Sequence, residues 1–358
     1  MDAVADLFQR LLRKSGQPAN DDLKAYIHTL FLDGANREAG LFSRVHVRAD
    51  DTVSGFLGVL PVEMHFDGRR LLAANCGTFA CDDRDSDPFA GARLLRDVLS
   101  GPQDLSFSET SNDVSTDMWR TMRAGVLAPY SLEWLRILRP AAFALEAASA
   151  KVSAARLLSP VAKLGDAVLR RRGGKQSWSH YTPFAGKADA LEAKPADNAE
   201  FAALCVDLVA RFPLRPAWDR PTLEGMLKHA ERKALHGERI QHIVRTRSGK
   251  PVGLYLYYGN PGGIGRVVQI MAAPGHEAIV IDCLVRNAYD RGLVAVRGRT
   301  QPELLQAMIG KKCAFLHTSS TVVHARDPAI LAALTHGQPF LNGLAGEGWT
   351  RLIGDRFG

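Results

Sequence analysis

The chain has 358 residues, with 45 Lys and Arg against 38 Asp and Glu, giving a formal net charge of +7 at pH 7. It is 46% hydrophobic and 23% charged, which excludes a disordered chain and leaves room for two globular domains. A basic balance of this size suits an anionic ligand such as a nucleotide cofactor, but is too small on its own to argue for nucleic acid.

The five cysteines, Cys76, Cys81, Cys205, Cys283 and Cys313, form no CxxC pair and are odd in number. That argues against a disulfide framework or zinc site and for a reducing compartment. His229, His236 and His242 lack the i,i+4 spacing and the HExxH surroundings of a metal site, so no metal is expected. The N-terminus has no charged segment followed by an apolar run, and no stretch of 18 apolar residues exists. The expected location is therefore the cytoplasm.

Residues 1–35 read as helical. From Leu41 to Asp83 the apolar alternation predicts three consecutive strands, turned at Asp50-Asp51 and Asp67-Gly68. A helix from about Phe89 to Ser100 follows, with Leu94, Leu95, Val98 and Leu99 on one side. Next come a strand in "DLSFSET" and a helix in "VSTDMWRTMRAG" that Gly125 would close. "LEWLRILRP" reads as a strand or short helix. Residues 141–172 are rich in Ala and Leu with periodic Lys and Arg. They read as a basic helical connector, or alternatively as a helix lying on a membrane surface.

A second unit begins near Ser177, with helices at about 198–212 and 221–236. Strands in "RIQHIVRTRSG", "PVGLYLYYGN" and "RVVQIMAA" follow. A helix in "AIVIDCLVRNAYDRG", the strand Leu293 to Arg299 and the helix "PELLQAMIGKKC" come next. "AFLHTSSTVVHARD" is a strand pair or one long strand. "PAILAALTHG" is a helix with Pro at its first position and Gly past its end. "GNPGGIG" precedes a strand, not a helix, so it is no dinucleotide loop. The two halves repeat an order of elements: antiparallel strands, turn, helix, strand, helix.

The run "VSGFLGVLPVEMHFDGRRLLAANCGTFACDDRDSDPFAGARLLRDVLS…SETSNDVSTDMWRTMRAG" resembles the GNAT (GCN5-related N-acetyltransferase) superfamily over about residues 25–140. Residues 235–335 resemble it more loosely. The resemblance implies an α/β (α+β) chain of two GNAT-like domains, each a mixed, mostly antiparallel central sheet flanked by helices. The domains would be residues 1–140 and 177–358, with a helical basic linker at 141–176. It further implies acyl-CoA-dependent N-acyl transfer, with acetyl-CoA or another acyl-CoA as co-substrate and a small amine or amino sugar as acceptor. No nucleic-acid partner is implied.

In such a fold a Gly-rich turn at a helix N-terminus holds the pyrophosphate. The pantetheine arm lies along a strand edge, and a strand N–H stabilises the oxyanion. Carried over to this chain, the cofactor-binding positions are Phe79, Ala80, Cys81, Gly91, Ala92, Arg93 and Asn112. The family turn reads Arg or Gln, two residues, Gly, one residue, Gly or Ala. Ser86 and Phe89 stand at its first two positions, and Gly91 alone matches. The family's proton-donating Tyr is Trp119 here, whose indole N–H cannot do that work. Asn112 has an alternative reading as a helix cap, and Trp119 as core. Glu109, Tyr130 and Glu63 are the candidate proton carriers. Trp218 and Asp219 are candidate acceptor contacts, and Arg297, Arg299 and Gln301 would suit an anionic group. Two further readings stand beside the amine acyltransferase. One is a non-catalytic binding or scaffold protein on a degenerate GNAT fold. The other is an acyltransferase of cell-envelope or polysaccharide synthesis.

Overall fold

The computed structural model describes residues 2–33, 40–82, 87–149, 191–336 and 339–357. The chain starts with two helices, α1 (Asp2–Leu11) and α2 (Asp21–Leu32). The side chain of Asn20 caps α2 by accepting from Leu23 N at 3.0 Å, and Asp21 and Asp22 in its first turn suit the helix dipole. Both pack their apolar faces with Phe56, Leu60 and Ala80.

Where three strands are predicted, five are found: β1 (Arg44–Val47), β2 (Val53–Leu57), β3 (Leu60–Phe66), β4 (Arg69–Asn75) and β5 (Phe79–Cys81). At 58–59 and 76–78 a single glycine, Gly58 or Gly77, is the one signal of a break, because each is a bend within an apolar run. Next come α3 (Ala90–Leu99), β6 (Leu105–Ser111) and α4 (Asp113–Thr121). Gly125 does not close α4. Arg123 takes the left-handed backbone at φ 63° instead, and Gly125 begins β7 (Gly125–Val126). β8 (Leu132–Ile137) is a strand, and α5 (Pro140–Ser149) opens the connector. The remainder of the connector to 172, and the start of the second unit at Ser177, lie outside the described residues.

The second half adds β9 (Leu191–Pro195) and β10 (Leu214–Pro216), neither foreseen, around α6 (Asn198–Val209). It continues with α7 (Arg220–Ala230), β11 (Glu238–Thr246), β12 (Pro251–Gly259), β13 (Ile264–Ala272), α8 (Glu277–Asp290) and β14 (Ala295–Arg299). Then follow α9 (Pro302–Met308), β15 (Ala314–His317), β16 (Ser320–Ala325) and α10 (Pro328–His336). Residues 339–357 form turns, buried over most of their length.

The sheet order is the main finding of the fold. One sheet runs β10-β3-β4-β6-β16-β7 and a second runs β15-β8-β14-β13-β12-β11-β9, beside a small β1-β2-β5 sheet. Each large sheet has a parallel pair, β4 with β6 and β13 with β14, among antiparallel neighbours. The strand beyond that pair comes from the other half. β8 from the first half pairs with β14 and β15, and β16 from the second half pairs with β6 and β7. The halves have therefore exchanged strands: the first lends β8, and the second lends β16 and also β10, which pairs with β3. No single cut in the chain separates the two large sheets. β16 is buried at Ser320 through Val323, as a strand covered on both faces must be.

Exchange of central strands couples the halves in unfolding. Calorimetric melting is expected to give one cooperative transition, and a 1–140 fragment, with β6 stripped of β16, is expected to be insoluble. Two separate transitions, or a soluble folded fragment, would contradict the coupling.

Candidate functional site

The parallel pair β4/β6 runs in register from Ala73 opposite Leu105 to Asn75 opposite Phe107. Cys76 N still donates to Phe107 O at 2.8 Å. Beyond this point the strands part. The β4 backbone crosses to β2, where Gly58 N donates to Thr78 O at 2.7 Å and Asp82 N to Ser54 O at 2.7 Å. Antiparallel alternation then fixes the direction of each backbone group. Thr78, Ala80 and Asp82 face β2, while Phe79 and Cys81 face the open side. The N–H of Phe79, unlike that of Ala80, therefore points to the open edge.

The parting leaves a cleft of about 390 Å³. Cys76 to Phe79 form one wall, and Ser108, Thr110, Ser111, Asn112 and Ser115 form the other. Phe8, Leu12 and Arg13 beside α1, with Leu352 and Ile353, close the ends, and Glu347 lies against Gly77. A Cβ at Gly77 would overlap the Glu347 carboxylate, so glycine is required there for the carboxylate to enter.

Glu347 is held by a polar cluster. Its carboxylate accepts from the Thr110 hydroxyl. Its backbone N–H donates to Glu109 Oε1 at 2.9 Å, and Gly343 N donates to Glu109 Oε2 at 3.1 Å. Glu109 and Glu347 are only 4% and 6% exposed. Burial raises the Glu109 pKa, against the pull of Arg299 and the N–H groups of the 343–348 turn. Burial pushes Glu347 up to about 7, helped by the neighbouring Glu109 charge and opposed by Thr110, Lys233 and Arg299. Lys233, 1% exposed, gives its ammonium protons to the carbonyls of Thr350 and Ile353. Burial brings its pKa down to about 7. Neither Lys233 nor Glu347 is among the candidates that the sequence offers. The one available signal was the cluster of glycines at 343, 346 and 348.

The three candidate proton carriers do not meet at the cleft. Glu109 stands behind Glu347 with both oxygens engaged. Tyr130 donates to Pro339 O at 2.6 Å, and burial raises its pKa beyond the usual tyrosine range. Glu63 is exposed on β3 and pairs with Arg70 at 3.1 Å. Phe79, Cys81 and Asn112 are at or beside the cleft, and Asn112 caps α4 by accepting from Ser115 N at 2.9 Å. Gly91, in the first turn of α3, is a close-packing position: a Cβ there would meet Met118 Sδ at 3.2 Å and Phe79 at 3.4 Å. Ala92 is half-buried, and Arg93 pairs with Asp87, whose carboxylate also lies 3.2 Å from His46 Nε2. Asp83, Ser86 and the rest of the 83–86 turn lie outside the described residues. Trp119 is core, packed with Leu94, Leu95 and Val98.

The acceptor candidates are engaged elsewhere. Trp218 packs edge-on to Phe340, and Asp219 caps α7 through Thr222 N at 2.8 Å. Arg297 pairs with Glu133 at 2.9 Å. Arg299 donates to Ser319 O at 3.0 Å, to Thr321 Oγ1 at 3.1 Å and to the Glu109 carbonyl, riveting the exchanged strand. Gln301 is buried just before α9.

The second parallel pair parts in the same way after Val267 opposite Gly298. There the chain fills its own gap. Asn342 Nδ2 donates to Thr300 O at 2.9 Å, and Leu344 N to Gln269 Oε1 at 3.0 Å. Gly343, at φ 72°, lies so close to Val268 O that a Cβ would overlap it. Near the start of α8 the charged groups are Arg211, Glu277 and Glu303, two of them carboxylates.

A parallel pair that splays within an otherwise antiparallel sheet, followed by a helix, present in both halves, decides the fold. The chain has the GNAT fold. Solved structures agree. A GCN5-related N-acetyltransferase from Anabaena variabilis ATCC 29413 superposes with a TM-score of 0.57 at 10% identity, over 92% of this chain and 71% of that one. A conserved protein of unknown function from Enterococcus faecalis V583, described as a probable N-acyltransferase, gives 0.56 at 11% identity, over 90% and 69%. A GCN5-related N-acetyltransferase from Kribbella flavida gives 0.52 at 13%, over 94% and 73%. No family model and no curated protein matches the sequence. Among the described residues no group of His, Cys, Asp and Glu is arranged to hold a metal. No described helix is long and apolar enough to cross a membrane.

The fit of Glu347 to Gly77 is testable by a double-mutant cycle. Gly77→Ala is expected to cost about 1–3 kcal/mol through overpacking, read by denaturant unfolding. Most of that cost should vanish in a Glu347→Gly background. An additive pair would contradict the contact.

Proposed function

We propose that the first half binds acyl-CoA in the β4/β6 cleft and transfers the acyl group to a small amine, while the second half is a structural partner. The observation that carries this reading is the asymmetry of the two splays. The first leaves a cleft of about 390 Å³, and the second is filled by Asn342 to Leu344.

The cleft suits a thioester with a pantetheine arm. Phe79 and Cys81 offer strand-edge N–H and C=O groups to the arm's amides. The Phe79 N–H is the donor for the oxyanion of the tetrahedral intermediate. Ser111, Asn112 and Ser115 put polar groups at the start of α4, where the helix dipole favours the cofactor's negative end. Two carboxylates, Glu277 and Glu303, stand near the corresponding place of the second half and repel an anion.

One feature favours a non-catalytic binding protein instead. Asp87 stands beside the start of α3, ion-paired with Arg93 and His46, where a phosphate of the cofactor would approach. Titration with acyl-CoA separates the two readings. Calorimetry with acetyl-CoA and a longer acyl-CoA is expected to give one molecule bound per chain. Ser115→Glu, which adds charge at a helix start that tolerates it, should weaken binding at least tenfold without lowering the melting temperature. No acyl-CoA binding by the unaltered protein would support the scaffold reading, and two molecules per chain would overturn the structural role of the second half.

A further inference from the structure

We infer that Glu347, delivered by the C-terminal segment of the second half into the cleft of the first, is the proton acceptor for the attacking amine. This rests on the acyl-transfer reading above and names the residue that performs its proton step. It is carried by what the cleft contains. Of the residues lining it, the side chains that can exchange a proton or carry charge are Arg13, Cys76 and Glu347. Arg13 bonds the carbonyls of Asp355 and Arg356 through its guanidinium and is a permanent cation. Burial holds the Cys76 thiol protonated, with its pKa pushed up to about 12. Glu347 is therefore the one carboxylate among the described residues that faces the cleft.

Its position fits the task. Gly77, against which the carboxylate lies, is two residues from Phe79, about 7 Å along a strand. A thioester carbonyl at the Phe79 N–H and an amine beside Glu347 are thus neighbours across one cleft. The groups facing Glu347 are Thr110 and Glu109 from β6, Lys233 from the turn after α7, and Arg299 from β14. Glu109 is a positioning residue. It bonds the backbone N–H of Glu347 and of Gly343 and so fixes the turn that aims the side chain.

The lone pair of a neutral amine forms the C–N bond, and the thioester carbonyl becomes an oxyanion. The ammonium proton passes to the Glu347 carboxylate. Collapse of the oxyanion breaks the C–S bond, and the CoA thiolate leaves. The proton on Glu347 passes to the thiolate or to water at the cleft mouth, which restores the carboxylate. The products are an amide and CoA thiol.

The test follows CoA thiol release from acetyl-CoA with methoxyamine, an amine too weakly basic to be protonated in the pH range scanned. In the unaltered protein kcat should rise with pH along an acid limb lying above the ordinary glutamate range, because the ionised carboxylate is the active form. Glu347→Gln, which keeps the size of the side chain, should lower kcat at least 100-fold, in line with the typical worth of general-base catalysis. It should also abolish the acid limb, with acetyl-CoA affinity and melting temperature kept within about threefold and a few degrees, changes too small to signal lost binding or packing. Thr110→Val removes a hydrogen bond that stabilises the carboxylate, so it should move the limb to higher pH. Glu347→Gln retaining kcat and limb would overturn the inference and leave the acyl-transfer reading standing. Acetyl-CoA bound without thiol release to methoxyamine would overturn it too. Failure of the unaltered protein to bind acetyl-CoA would instead remove the reading beneath it.

Discussion

The structure depends on one buried carboxylate. Glu109 sits on the central strand β6 at 4% exposure, and the N–H groups of Gly343 and Glu347 meet its two oxygens. A buried carboxylate without such donors costs several kcal/mol, so the turn at 343–348 and the strand need each other. Arg299 binds the carbonyl of the same residue and reaches Ser319 and Thr321 beside the exchanged strand. Strand exchange, the closing of one splay and the delivery of Glu347 to the other all converge on this point.

That convergence gives the two halves different roles from one architecture. The segment 339–353 first fills the gap of the second parallel pair and then lines the gap of the first. A GNAT splay exposes unpaired strand edges, which must be met by ligand or by chain. In the second half the chain meets them. In the first, Phe79 and Cys81 keep an edge open. The proposal that the first half alone binds acyl-CoA rests on that difference.

Much of the fold was legible in the sequence, because long periodic segments carry strong signals. β11, β12 and β13, and the helices around Leu94 and Leu284, fall where alternation and periodicity put them. The exchange of β8 and β16 was not legible. Both are strands of six residues, and nothing local says which sheet a strand will join. β5 was hidden because β4 changes partners without a turn signal. The cleft wall at Phe79 and Asn112 was reached through family resemblance. Glu347 and Lys233 were not, since their roles arise from contacts with Thr110 and Glu109 more than 100 residues away in the chain. Glu109 and Tyr130 were singled out as proton carriers and Arg299 as a contact for an anionic group. Burial gives them hydrogen-bonding partners that bind the halves together.

The most direct test of the account is hydrogen exchange, read by mass spectrometry, with and without acetyl-CoA. The account predicts new protection at residues 77–81 and 108–115, and none at 268–272 or 299–301. Protection confined to the second pair of segments, or to neither, would contradict it.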